Sequence, residues 1–151
     1  MRIKFLKTNI SAADLRRVVK AVRSDNLISG PFSHELEEGC RNYFNLPTAV
    51  FLSSATAALH TSLILAGVKA GDEVITTPYS FFATVSAITR LGATAVFVDI
   101  DPVTYNLDVK QVEARITAQT KAIEPVHLYG QCADMAALRE ISDRHGIPLV
   151  E

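Results

Sequence analysis

The chain has 151 residues, 48% of them hydrophobic and 21% charged, a globular composition rather than a disordered one. A domain this long can bury roughly 68–70% of its unfolded surface. A formal charge of −1 with no basic run gives nucleic-acid binding no electrostatic support. No apolar stretch approaches the ~20 residues of a membrane helix, and the start, MRIKFLKTNIS, is too polar for a secretory core. Cys40 and Cys132 form no CxxC pair, so both read as packing thiols in a reduced, cytoplasmic setting.

Two helices are predicted first. Ser11 and Asp14 have capping-box spacing, and Leu15, Val18, Val19 and Val22 fall on one face. Asp25–Pro31, DNLISGP, is a turn-rich break. Ser33 is the expected cap of a second helix, with Leu36, Cys40 and Phe44 at helical spacing.

After Pro47 strands and helices alternate. The expected strands are Ala49–Ser53, Glu73–Thr76, Thr94–Val98, Lys121–His127 and one opening at Pro148–Glu151. Between them come helices at Thr56–Ala66, Ser80–Leu91, Val109–Ile116 (capped by Asp108) and Met135–His145. Gly67, Gly92 and Gly146 close three of these helices in the left-handed position. The strands, AVFL, EVIT, AVFV and AIEPV, read as apolar throughout, as strands covered on both faces do. This predicts an α/β fold, a three-layer α/β/α arrangement with a mainly parallel sheet. The division expected is a helical segment over residues 1–46 and an α/β domain over 47–151.

In such sheets ligands gather at the carboxyl ends of the strands. Four corners qualify. At Ser53–Thr56 a helix N-terminus with small hydroxyl residues could hold an anion. On spacing alone a plain N-cap is the better reading. At Thr77–Phe82 an aromatic ring could stack on a planar group, while at least one of Phe81 and Phe82 is expected to pack on the sheet. Asp99 and Asp101 lie where a ribose-binding acid would, but no GxGxxG precedes them, so they read as turn and cap residues. His127 ends a strand, and a ring facing the site and a ring bonded to backbone are evenly matched. His60 reads as a packing residue, His34 and His145 as surface residues. No HExxH, GxSxG or P-loop spacing occurs, and no metal site is expected.

Several segments together carry a resemblance. The run from FLSSATAALHTSL through GDEVIT and GATAVFVDID, then ITAQTKAI, PVHLYGQ and HGIPLVE, resembles the DegT/DnrJ/StrS family of pyridoxal-phosphate-dependent sugar aminotransferases. The likeness runs from about Asn26 to Glu151. It implies the first part of the large domain of a fold type I transferase. It also implies an amino transfer from an amino acid such as glutamate to a keto sugar nucleotide, in a homodimer. Ser54, Ala55 and Thr56 match the corner that receives the cofactor phosphate, although many relatives have glycine in place of Ala55. Phe82 matches the ring stacked on the cofactor, and His127 a histidine near it. Gly30 and Pro31 match a loop on the substrate side.

The resemblance also implies an aspartate for the pyridine nitrogen and a lysine for the Schiff base. Both are expected beyond Glu151, and no lysine here matches that position. The ending, HGIPLVE, reads as a buried strand with no cap or turn after it, which predicts part of a longer chain, inactive alone. Two other readings stand beside the aminotransferase. One is a sugar dehydratase of the same fold, with histidine replacing the lysine. The other is a non-catalytic α/β binding or regulatory module.

Overall fold

The computed structural model describes residues 7–151, so residues 1–6 of the expected N-terminal segment lie outside it. The described chain forms two compact units that divide between Phe51 and Leu52.

The first unit holds α1 (Ala12–Val22) and α2 (Pro31–Tyr43). At Ser11 the capping box forms in both directions: the Ser11 hydroxyl accepts from the Asp14 amide, and the Asp14 carboxylate accepts from the Ser11 amide at 2.7 Å. These bonds hold the Asp14 carboxyl below its ordinary pKa. The second helix begins earlier than the expected cap at Ser33. Gly30 is the N-cap and Pro31 the first helical residue, which leaves Ser33 inside the first turn. Proline suits that position because its missing N–H would have no partner there and its φ is already helical. Arg17 reaches Glu35 at 2.7 Å, and the Lys20 ammonium lies 5.8 Å from the centre of the Phe32 ring.

The second unit holds the sheet. Strands β1 (Glu73–Thr76), β2 (Thr94–Phe97) and β3 (Thr120–Ile123) run parallel in the order β2-β1-β3. A single parallel bridge from Ile123 to Leu149 extends the sheet beyond β3, where the sequence predicts a strand. Four helices flank it: α3 (Ala55–Leu65), α4 (Phe82–Thr89), α5 (Val109–Val112) and α6 (Met135–His145). The expected helix at Val109–Ile116 is therefore shorter, its last turn tightening into a 3-10 turn at Glu113–Arg115.

Alternate residues of β1 and β3 enter two cores. Ile75 and Ile123 join Val112, Leu138 and Ile141 on the face covered by α5 and α6. Val74 and Ala122 join Leu63, Ala87 and Ile88 on the face covered by α3 and α4. The result is the expected three-layer α/β/α arrangement with a parallel sheet. Gly67, Gly92 and Gly146 follow their helices with φ of 81°, 72° and 66°, as their positions predict.

One expected strand is missing. Ala49–Ser53 has no ladder, and Val50, Phe51 and Leu52 are exposed. The neighbours of β1 are β2 and β3, and the bridge at Leu149 occupies the outer side of β3. An apolar pattern becomes a strand only where another strand offers its backbone groups.

Candidate functional site

The strands are parallel, so the residues after β1 and β3 emerge at one end of the unit. Helix α3 hands the chain to the start of β1 and packs Leu63 on the sheet, so its N-terminus lies at that same end. The corner at Ser54–Thr56, the Thr77–Phe82 turn and the His127 loop are thus brought to one end of the domain.

At the corner Ser54 is extended, with φ −163° and ψ 159°, and its hydroxyl accepts from the Ala57 amide at 3.1 Å. Its carbonyl accepts from Ala58 at 3.0 Å. The plain cap is therefore real, and Ser54 performs it. It also leaves the Ala55 and Thr56 amides, together with the Thr56 hydroxyl, without a partner among the described residues. A helix start with unpaired amides and a partial positive charge is suited to an anion.

Phe81 is the N-cap of α4 and Phe82 its first residue. Both rings are exposed, at 80% and 76%, so neither packs on the sheet as one was expected to. The reason is positional: helix α4 turns Thr84, Ala87 and Ile88 inward, and residues 81 and 82 precede that stripe. Thr84 is anchored instead through a hydroxyl bond to Ser80 at 2.6 Å.

His127 is bonded to backbone, one of its two expected readings. The Ala133 amide donates to Nδ1 at 3.0 Å, which makes Nδ1 the acceptor and places the ring proton on Nε2. That Nε2–H donates to Glu151 Oε2 at 2.8 Å. The ring is fixed by backbone on one side and held by a carboxylate on the other, in a defined tautomer.

Asp101 accepts from the amides of Val103 and Thr104, both at 2.9 Å, which holds its carboxyl below the ordinary range. Asp99 accepts from Ile100 at 2.8 Å. Both are turn residues, as the sequence predicts. His60 donates from Nδ1 to the Ala87 carbonyl at 3.2 Å. Gly30 and Pro31 lie in the first unit at the start of α2, and a Cβ at residue 30 would meet Asn26 Cβ at 2.8 Å.

Three features escaped the sequence. Asn106, buried to 3% exposure, donates from Nδ2 to the carbonyls of Gln131 and Cys132 and accepts at Oδ1 from Leu128. It clamps the loop that carries His127, and its signal was a lone amide in the run TYNLD. The Tyr79 and Tyr129 hydroxyls meet at 3.0 Å, which raises the Tyr79 pKa. Glu124 sits at the end of β3 with 1% exposure, and its two carboxyl oxygens have no partner among the described residues. In the sequence it lies within the apolar strand pattern AIEPV, where an acid is a visible irregularity.

Comparison with known proteins gives a consistent answer. The model of the DegT/DnrJ/EryC1/StrS aminotransferase family matches residues 8–151. A pleiotropic regulatory protein of Geobacillus stearothermophilus is 47% identical over 137 residues, 91% of this chain and 37% of the relative. Spr1654 of Streptococcus pneumoniae, assigned as a sugar aminotransferase and solved in its PLP form, superposes with TM-score 0.90 at 37% identity. The match covers 98% of this chain and 38% of that one. A 3-amino-5-hydroxybenzoic acid synthase superposes with TM-score 0.89 at 36% identity, over 93% of this chain and 37% of that one. The chain thus spans a little over a third of the length of these relatives. Its sheet order, its helical layers and the matched residues agree, and the chain belongs to the DegT/DnrJ/EryC1/StrS aminotransferase family.

Proposed function

We propose that this chain is the cofactor-binding part of a pyridoxal-phosphate-dependent sugar aminotransferase. The observation that carries the reading is the Ser54 corner. Ser54 spends its hydroxyl on capping α3, and the amides of Ala55 and Thr56 remain free beside the Thr56 hydroxyl. Those three donors fit a phosphate. Phe82 presents an exposed ring one residue into α4, which fits a clamp for a planar heterocycle. His127, held through Ala133 and Glu151, offers a ring of fixed orientation.

When bound, pyridoxal phosphate supplies an electron sink for bond breaking at an amino-bearing carbon. The residues here bind and orient it. Ala55 and Thr56 would hold its phosphate and Phe82 would lie against its ring, while Asn106 clamps the His127 loop. The lysine and the aspartate of this chemistry are expected beyond Glu151. The substrate class proposed is a keto sugar nucleotide with an amino-acid donor, used in amino-sugar or surface-polysaccharide synthesis in the cytoplasm. A homodimer is proposed as well, supported by Leu27 and Ile28, which are 72% and 100% exposed beside Gly30 and Pro31.

A visible-absorbance titration of the full-length protein with pyridoxal phosphate tests the corner. Thr56→Val removes one donor and should weaken cofactor affinity about 10-fold, the effect of one charge-assisted hydrogen bond. Unchanged affinity would remove the corner from the site. The reading as a regulatory module has one support, the name of the Geobacillus relative. Transaminase turnover by the full-length protein distinguishes it from the enzyme.

A further inference from the structure

Glu124 is the acid that the proposed chemistry does not use. Its backbone is tightly held at the end of the sheet. The Glu124 amide donates to the Ile75 carbonyl at 2.8 Å, and the Thr76 hydroxyl donates to the Glu124 carbonyl at 2.8 Å. Alternation along β3 puts its side chain on the face of Ala122, the face covered by α3 and α4. It is buried to 1% exposure with both carboxyl oxygens unpartnered among the described residues.

Among the described residues no charged side chain pairs with it on that face. Helix α4 (FATVSAIT) has no titratable residue, and α3 (ATAALHTSLIL) has one, His60. The His60 ring is turned to the Ala87 carbonyl. Lys121 lies against Gly67, beyond the other end of α3. Arg90 follows α4 and is exposed, and Glu151 is engaged by His127. β1 contributes Val74 and Thr76 to this face, neither of them titratable.

We propose that Glu124 is a buried proton-holding switch: neutral, it seals the ends of β1 and β3, and ionised, it loosens them. Those ends lead directly into the two loops that carry Phe82 and His127, so loosening them reaches the cofactor pocket. That last consequence rests on the function proposed above, but the switch itself does not.

The sign follows from linkage. In the unfolded chain the carboxyl ionises at its ordinary value of 4.5, and burial pushes it up to about 7 in the fold. Between those values the unfolded state releases a proton that the folded state keeps, so rising pH favours unfolding. Below 4.5 both states hold the proton, and above about 7 the loss is complete. From pH 5 to pH 8 the folding equilibrium constant should fall about 70-fold through this group alone.

The experiment measures urea unfolding of the full-length protein, without added cofactor, from pH 5 to pH 8. Wild type is compared with Glu124→Gln and Glu124→Leu. Both variants remove the ionisation, so the comparison is of slopes and tolerates a constant loss from either side chain. In either variant the fall in the folding equilibrium constant from pH 5 to pH 8 is expected to be smaller than that of wild type by a factor of about 70. Difference infrared spectra at pH 6 should show a protonated carboxyl stretch in wild type that is missing in Glu124→Gln. Parallel slopes in all three proteins, or no protonated carboxyl at pH 6, would overturn the switch. Cofactor binding does not enter either measurement, so failure of the functional reading would be seen separately, in the absorbance titration.

Discussion

The two units make an instructive contrast. The first, described over residues 7–51, has two well-formed helices and no buried residue. The second has two apolar cores on opposite faces of one sheet. In the first unit the local signals are strong: a complete capping box, a proline at the first helical position and an apolar stripe on α1. Yet Leu15, Val18, Val19 and Val22 remain 48–64% exposed. Local signals shape a helix, but only burial against other elements stabilises it substantially. In the second unit α3 and α4 are apolar on nearly every side, and their inward residues are fully enclosed.

Truncation is the strongest way to break this contrast. Ile123→Ala should destabilise the protein by about 2–5 kcal/mol, because Ile123 is fully buried in the core under α5 and α6. Leu15→Ala, at 57% exposure, should cost under about 1 kcal/mol. Chemical denaturation of the two variants checks the difference. An equal loss would show that the α1 stripe is covered in solution, and the contrast would then be between chain segments rather than environments.

Asn106→Ala tests whether a single polar clamp in the second unit outweighs the polar contacts of the first. It removes one acceptor and two donor bonds from a buried site and leaves the Leu128 amide and two carbonyls unpaired. A loss of about 1–3 kcal/mol is expected, with faster amide exchange at Leu128. The smallest effect is at the first helix. Ser11→Ala removes the hydroxyl that accepts from the Asp14 amide, leaves the backbone amide on the Asp14 carboxylate, and should cost about 1 kcal/mol, read as lower helicity of α1 in amide exchange or circular dichroism.

Much of the fold was legible in the sequence because it is written in short-range terms. Glu73–Thr76 and Met135–His145 have the bounds that their apolar periods and flanking glycines predict. The Ser11 box and the left-handed glycines are likewise local, since each depends on a few neighbouring backbone groups. At the candidate site a hydroxyl cap was legible, and it is the Ser54 hydroxyl that makes it; the phosphate proposed at the neighbouring amides rests on the family resemblance.

What the sequence by itself determined about this protein is therefore the alternation of elements, the caps at Ser11 and Asp108, the parallel sheet and the family. Tertiary structure alone decided the rest. Ala49–Ser53 has the pattern of a strand and no ladder, because pairing requires a partner that a pattern cannot supply. Phe81 and Phe82 stay exposed because the inward stripe of α4 begins after them. The proton position on His127 depends on an amide six residues away and a carboxylate twenty-four away. The Glu124 carboxyl is pushed up only because the fold buries it without a partner among the described residues. Solvation is a property of everything that surrounds a group, and the surroundings of a buried group are assembled from distant parts of the chain.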